Sequence, residues 1–311
     1  MKRHAVAAVL GLSFTLPGGQ AAATEGGSSL YLQGAYNDFA AGMFQAPGVY
    51  IRNDVAFYDA SAGARPLGGR VALESTQRVW LNLTKLAYQA EGGPFGARYG
   101  AAMVLPVVLR AEASATASIG GFAPFRSGET AGIGDLYVAP VQLNWTLGNH
   151  HVTLSPGIYA PTGRYSADRV LNTGRNHWGI DLAASYTWLD PQRGQELSFT
   201  AGYLINTRND ATGYRSGNEF HLDWLAGQHF SERFAVAATG YWYEQVTDDS
   251  GQRPAGSGGF RGSGVGIGPA VLWTPRIGAR DVSLIAKWIH DIDTRNRFEG
   301  DLVMVSAAFR F

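Results

Sequence analysis

The stretch Glu219-Phe220-His221-Leu222-Asp223-Trp224-Leu225-Ala226-Gly227-Gln228-His229-Phe230 repeats every second residue. Phe220, Leu222, Trp224, Ala226 and Phe230 fall on one face; Glu219, His221, Asp223 and His229 fall on the other. Successive side chains of a strand point to opposite sides, so this is a strand with one apolar and one polar face. It is about twice as long as an ordinary globular strand. Such a length suits a tilted strand crossing about 25–30 Å of lipid.

The pattern recurs outward from this stretch. Leu197, Phe199, Ala201, Tyr203 and Ile205 oppose Glu196, Ser198, Thr200 and Asn206. Trp178, Ile180, Leu182, Ala184, Tyr186 and Trp188 oppose Asp181, Ser185 and Thr187. In 99–109 the apolar row is Tyr99, Met103, Leu105, Val107 and Leu109, with Arg110 beginning the opposite row. Twelve strands are predicted, over 47–58, 71–89, 97–112, 132–147, 151–161, 176–189, 195–208, 217–230, 234–246, 261–274, 281–291 and 301–311. Short connections, such as 148–150 and 231–233, alternate strictly with generally longer ones rich in Gly, Ser, Asp and Arg, such as 113–131, 162–175 and 247–260. Outer-membrane barrels have this asymmetry and an even strand count. The fold expected is therefore all-β, a transmembrane antiparallel up-and-down β-barrel of about twelve strands with a short plug-like N-terminal segment.

Composition agrees. The 311 residues include 41 Gly and 12% aromatics but only 16% charged residues, and no Cys. Sparse charge follows if one face of every strand meets hydrocarbon. Lys+Arg and Asp+Glu both number 25, which leaves no electrostatic footprint for nucleic acid. The absence of Cys excludes disulfides, thiolate catalysis and Cys-ligated zinc. Aromatics toward the strand ends (Trp178 and Trp188, Phe220 and Phe230, Tyr137 and Trp145) suit interfacial girdles.

At the start, Lys2 and Arg3 precede an apolar stretch, Ala5 to Leu16, and then Ala21-Ala22-Ala23. That reads as a cleavable signal peptide over 1–23. Export and a barrel together place the chain in a bacterial outer membrane of Gram-negative type. Residues 24–46 form an N-terminal segment, and 47–311 the barrel. Asn37 to Phe44 is expected to form one or two helical turns capped by Asn37 or Asp38. Phe39, Met43 and Phe44 would be exposed in a free tail, which favours their packing in the lumen as a plug.

The inward charged set is Arg52, Asp54, Arg110, Asp135, Asp181, Glu196, Glu219, His221, Asp223, Lys287, Asp291 and Arg310. Its mixed signs argue against a pore selective for one sign. These residues either line a substrate path or simply fill a narrow barrel. Glu219, His221 and Asp223 read as a hydrogen-bonded lumenal network rather than a metal site. No G-x-S-x-G and no P-loop occur, and no enzyme, metal or cofactor is expected. Arg164, Arg169 and Arg175 either hold lipopolysaccharide phosphates or belong to a solvated loop.

Five stretches carry a resemblance: Asp38-Phe39-Ala40-Ala41-Gly42 followed by Ala46-Pro47-Gly48-Val49-Tyr50; Pro161-Thr162-Gly163-Arg164-Tyr165; Asn172 to Trp178; Tyr214 to Asp223; and Gly240 to Gln245. They resemble the outer-membrane family associated with the meta-pathway of phenol degradation, over essentially the whole mature chain. The resemblance implies a barrel for passive uptake of hydrophobic, in particular aromatic, compounds, and supplies no catalytic residues. Phe309 and the terminal Phe311, on an apolar alternating last strand, resemble the signal read by the barrel assembly machinery. Expected partners are outer-membrane lipid and lipopolysaccharide, that machinery, and a small hydrophobic or aromatic ligand. A narrow general porin for small polar solutes and a non-transporting structural barrel remain as alternatives.

Overall fold

A computed structural model describes residues 29–36, 38–64, 71–119, 125–251 and 261–311. The predicted signal peptide and Asn37 lie outside these residues. The strands are β1 (Gly48–Ala64), β2 (Val71–Gln89), β3 (Arg98–Ile119), β4 in two segments (Phe125–Ile133 and Leu136–Leu147), β5 (His150–Ala160), β6 (Gly179–Asp190), β7 (Gln195–Asn206), β8 (Glu219–Ser231), β9 (Phe234–Gln245), β10 (Ser263–Trp273), β11 (Ser283–Arg295) and β12 (Glu299–Arg310). Each pairs antiparallel with its chain neighbours, and β1 pairs with β12 from Tyr50↔Arg310 to Ser61↔Glu299. The sheet is closed. No edge is left, and every strand can satisfy its backbone along its neighbours, which is what hydrocarbon requires.

The expected alternation sorts the two faces. Leu182, Trp178, Val305 and Phe230 are 52–67% exposed on the outside, while Asp181, His221, Asp223, Leu204 and Leu225 are fully buried inside. Apolar groups facing outward are the mark of a lipid-facing wall. The short connections lie at one end and the longer ones at the other, which sets the periplasmic and outer ends.

Several boundaries differ from the sequence reading, three of them by six residues or more. β1 and β3 run on to Ala64 and Ile119, and β4 begins at Phe125, so much of the expected long loops is strand. Beyond the lipid-facing rows the alternating small and hydroxyl residues of β3 still pair on both sides, and Thr76 and Ser114 share a 2.8 Å hydrogen bond across the wall.

Bulges change which face a residue takes. The register between β2 and β3 shifts so that Leu81 opposes Val108 but Trp80 opposes Arg110. Trp80 is 45% exposed and packs on the outward Phe57, so Arg110 faces outward with it. The inward position predicted for Arg110 is thus corrected: one extra residue reverses the alternation. Arg110 instead pairs with Glu112 and Glu129 on the outer surface. Likewise the register between β4 and β5 breaks between Val138 and Leu143, around Pro140. Tyr137, expected in the outer girdle, is therefore buried on the inner side with Ala139. Proline has no N–H for the ladder and is tolerated at such a bulge.

Candidate functional site

Residues 29–46 pass along the inside of the barrel. The described residues among them contain turns but no helix. The helical turns expected after Asn37 are absent because Ala40 has a positive φ of 57° and its N–H donates to Glu196 Oε1 at 2.6 Å. Asp38 is likewise no cap; it is ion-paired with Arg52 of β1 and, at 3.3 Å, with Lys287 of β11.

The segment descends from the outer end toward the periplasmic end. Ser29 donates to Glu219 near the outer start of β8. Tyr31 donates to Asp223 Oδ2 at 2.7 Å and its ring stacks on His221, centroids 4.1 Å apart. The backbone carbonyl of Gly34 accepts from Lys287 Nζ at 2.6 Å. The Tyr36 hydroxyl lies 3.0 Å from the Tyr159 hydroxyl and donates to Asp181 Oδ2 at 3.2 Å. Lower down, Gly42 N–H donates to Thr187 Oγ1 at 2.9 Å, and its carbonyl accepts from Asn144 Nδ2 at 2.8 Å and Thr153 Oγ1 at 3.0 Å. A Cβ on Gly42 would stand 2.6 Å from the Thr187 nitrogen, so only glycine fits against that strand. Phe44 ends the passage, its ring against Gly100 and under the Arg98 guanidinium at 5.6 Å.

Of the three residues expected to fill the lumen, Phe39 packs edge-to-face on His229 at 5.8 Å and Phe44 lies against β3. Met43 is half-buried in the same turn, where its N–H donates to Ala40 O. The sequence reading did not single out Tyr31 and Tyr36. They carry the upper contacts; the aromatic and leucine content of 30–36 is the only local signal, and it does not point to their partners.

The inward charges form local groups. Arg52 bridges Asp38 and Asp54, and Lys287 closes that group from β11, two strands along the wall from β1. Burial alone would raise the Asp38 carboxyl, but the Arg52 and Lys287 cations hold it well below the usual carboxylate range. Asp181, His221 and Asp223 form a second group; His221 lies 3.1 Å from Asp181 and 3.6 Å from Asp223. Glu196 accepts from Ala40 N–H and sits 2.7 Å from His229. Asp291 accepts from Tyr241 at 2.5 Å and from Tyr58 at 3.2 Å near the outer end. Two predicted residues stand apart. Asp135 caps the 162–175 loop, accepting from Gly163 N–H at 2.9 Å and Arg175 N–H at 2.6 Å. Arg310 is exposed at the periplasmic rim beside Gly48. Within that loop Arg164 donates to Ala131 O at 3.0 Å, and Arg169 is exposed.

The wall around the upper contacts is apolar and aromatic. Tyr31 lies in one buried cluster with Leu204, Tyr243, Ile289, Leu302 and Met304. Polar anchors thus alternate with an apolar, tyrosine-rich lining along the passage.

Residues 60–307 match the protein family described as "Putative MetA-pathway of phenol degradation". The chain belongs to this family. Its fold is similar to that of an outer membrane channel from Pseudomonas putida F1, at 15% identity and a TM-score of 0.67, covering 89% of this chain and 98% of that one. Looser likenesses include the translocator domain of the autotransporter NalP from Neisseria meningitidis (12% identity, TM-score 0.47, covering 87% and 91%). Another is a Pseudomonas aeruginosa FadL homologue (12% identity, TM-score 0.41, covering 96% and 99%). No curated protein matches the sequence. With the closed barrel and its apolar outer rows, this makes the member of the phenol-degradation family in hand an outer-membrane β-barrel.

Proposed function

We propose that this barrel is a passive channel for hydrophobic, in particular aromatic, compounds, and that residues 29–46 are its displaceable plug. One observation carries the reading. The segment in the lumen is held by separate hydrogen bonds and ion pairs along its length, and by Leu30, Tyr31, Leu32 and Tyr36 against a wall whose upper part is apolar and aromatic. Each such bond contributes about 0.5–1.5 kcal/mol net, so the anchors can be released in steps. Once released, the lumen would offer leucine, methionine and tyrosine surface to a solute, with charges of both signs paired among themselves. Family membership supports a role beside the breakdown of aromatic compounds.

The test is uptake of a panel of aromatic and aliphatic hydrophobic solutes into liposomes holding the purified protein. Acceleration over empty liposomes is expected. No acceleration for any member of the panel would overturn the reading. Planar-bilayer conductance gives the second arm. A steadily open wild-type channel would favour a narrow porin for polar solutes, whereas brief, rare openings fit a plugged path.

A further inference from the structure

We infer that the cavity holding the Tyr31 side chain is a binding site for phenols, with Tyr31 as its internal occupant. The inference rests on the uptake reading above and names its substrate class.

The walls of the site belong to the barrel and the occupant does not. His221 on β8 presents its ring flat to the Tyr31 ring, 4.1 Å away and 16° from parallel. Its neighbour across the ladder, Tyr243 on β9, holds a ring within 2° of parallel, 6.2 Å away. Asp223 Oδ2 accepts a hydrogen bond from the Tyr31 hydroxyl at 2.7 Å. His221 can lie flat because residue 202 is glycine; a Cβ there would come within 2.1 Å of the imidazole. Tyr31 itself is 2% exposed, so the fit is complete. Beyond its Cα, a tyrosine side chain is p-cresol. A site that encloses it, stacks it and accepts its hydroxyl proton is complementary to a free phenol of the same shape.

The charges narrow the class. Asp181, Asp223 and Glu219 gather around this site, with His221 between the two aspartates and the Arg297 guanidinium 3.8 Å over the Tyr243 ring, so the hydroxyl itself meets a carboxylate. A neutral phenol supplies the donor that Asp223 needs. Benzoate would set its own carboxylate against Asp223 and supply no donor, and toluene would leave Asp223 Oδ2 without the hydroxyl that donates to it. The expected order is therefore phenol and p-cresol first, with toluene and benzoate well behind.

The experiment uses the full-length protein with Tyr31→Ala, which vacates the site. Equilibrium dialysis against p-cresol, toluene and benzoate measures affinity, and melting temperature checks occupancy. Saturable p-cresol binding is expected, about 10- to 100-fold tighter than toluene, as for a hydrogen bond to a charged group. Adding Asp223→Asn should remove most of that preference. Equal affinity for toluene, or no saturable binding by the folded variant, would overturn the inference. If Tyr31→Ala does not form a barrel, Tyr31→Phe serves. It keeps the ring but releases Asp223, so p-cresol should displace it about tenfold more readily than it displaces wild-type Tyr31; no gain would count against the site. Toluene uptake by wild-type protein separates the two proposals. Uptake without a p-cresol preference sinks only the phenol site, and p-cresol binding without uptake of any solute sinks only the channel.

Discussion

Replacing Gly42 by Ala tests whether the lumenal segment is seated as described. The added Cβ would meet the Thr187 nitrogen at 2.6 Å, the Tyr186 carbonyl carbon at 2.7 Å and the His151 oxygen at 2.9 Å. All three are backbone atoms of paired strands, so the wall does not yield and the turn has to lift away. Lifting breaks the bonds from Gly42 N–H to Thr187 and from Asn144 and Thr153 to the Gly42 carbonyl. At about 1 kcal/mol net for each, the seated state loses about 3 kcal/mol. A tenfold change corresponds to about 1.4 kcal/mol, so the ratio of released to seated segment rises about 100-fold. Single-channel recording in a planar bilayer reads this as the fraction of time spent conducting. Gly92→Ala is the control, since nothing lies within 4 Å of a Cβ there. A Gly42→Ala channel whose open fraction and melting temperature both match those of wild type would refute the seating of the segment.

Asp38 gives the segment a pH dependence. Despite its burial, Arg52 and Lys287 keep its carboxyl more acidic in place than free in water. The seated state therefore gains stability above the ordinary carboxylate pKa of about 4 and loses it as pH falls toward the lower seated value. Limited proteolysis of the segment should be flat near neutrality and rise only in acid, and Asp38→Asn should be cleaved faster than wild type at neutral pH. Leu182, 54% exposed on the lipid face, should cost about 2–4 kcal/mol when changed to Lys near mid-membrane. Urea titration of the folded barrel measures this, and an unchanged midpoint would argue against a lipid-facing position. Phe311 packs on Phe309 beneath Arg280, and its N–H donates to Val49 O at 2.9 Å. Removing it should lower the amount of assembled barrel in cells while detergent refolding of the purified chain proceeds; undiminished assembly in cells would deny it a signalling role.

Most of the wall was legible in the sequence because lipid on one side forces a period of two. Every charged residue of 219–229 lies on the face that the alternation predicted. The reading failed where the ladder gains a residue. Arg110 and Tyr137 changed sides because a bulge near Leu109 and another around Pro140 are events of pairing between strands, and alternation along one strand does not report them. The interior was less legible. The Asp38 partners lie 14 and 249 residues away, and Tyr31 meets Asp223 at a separation of 192. A helix looked favourable for 37–44 on local grounds, and the polar wall offered the backbone better-placed partners. That Phe39, Met43 and Phe44 would seek cover was readable; the tyrosines above them were not, because what marks them is the shape of a distant surface.

The separation between Lys287 and the Gly34 carbonyl, 253 residues, means that the seat of the segment is complete only once nearly the whole chain is in place. The earliest-made part of the described chain is anchored by a strand that is almost the last to be made. Until β11 arrives, Asp38 has Arg52 but not Lys287, and water has to serve its other side. The seat of the segment is thus shared between the first strand and nearly the last, and neither end of the chain provides it alone.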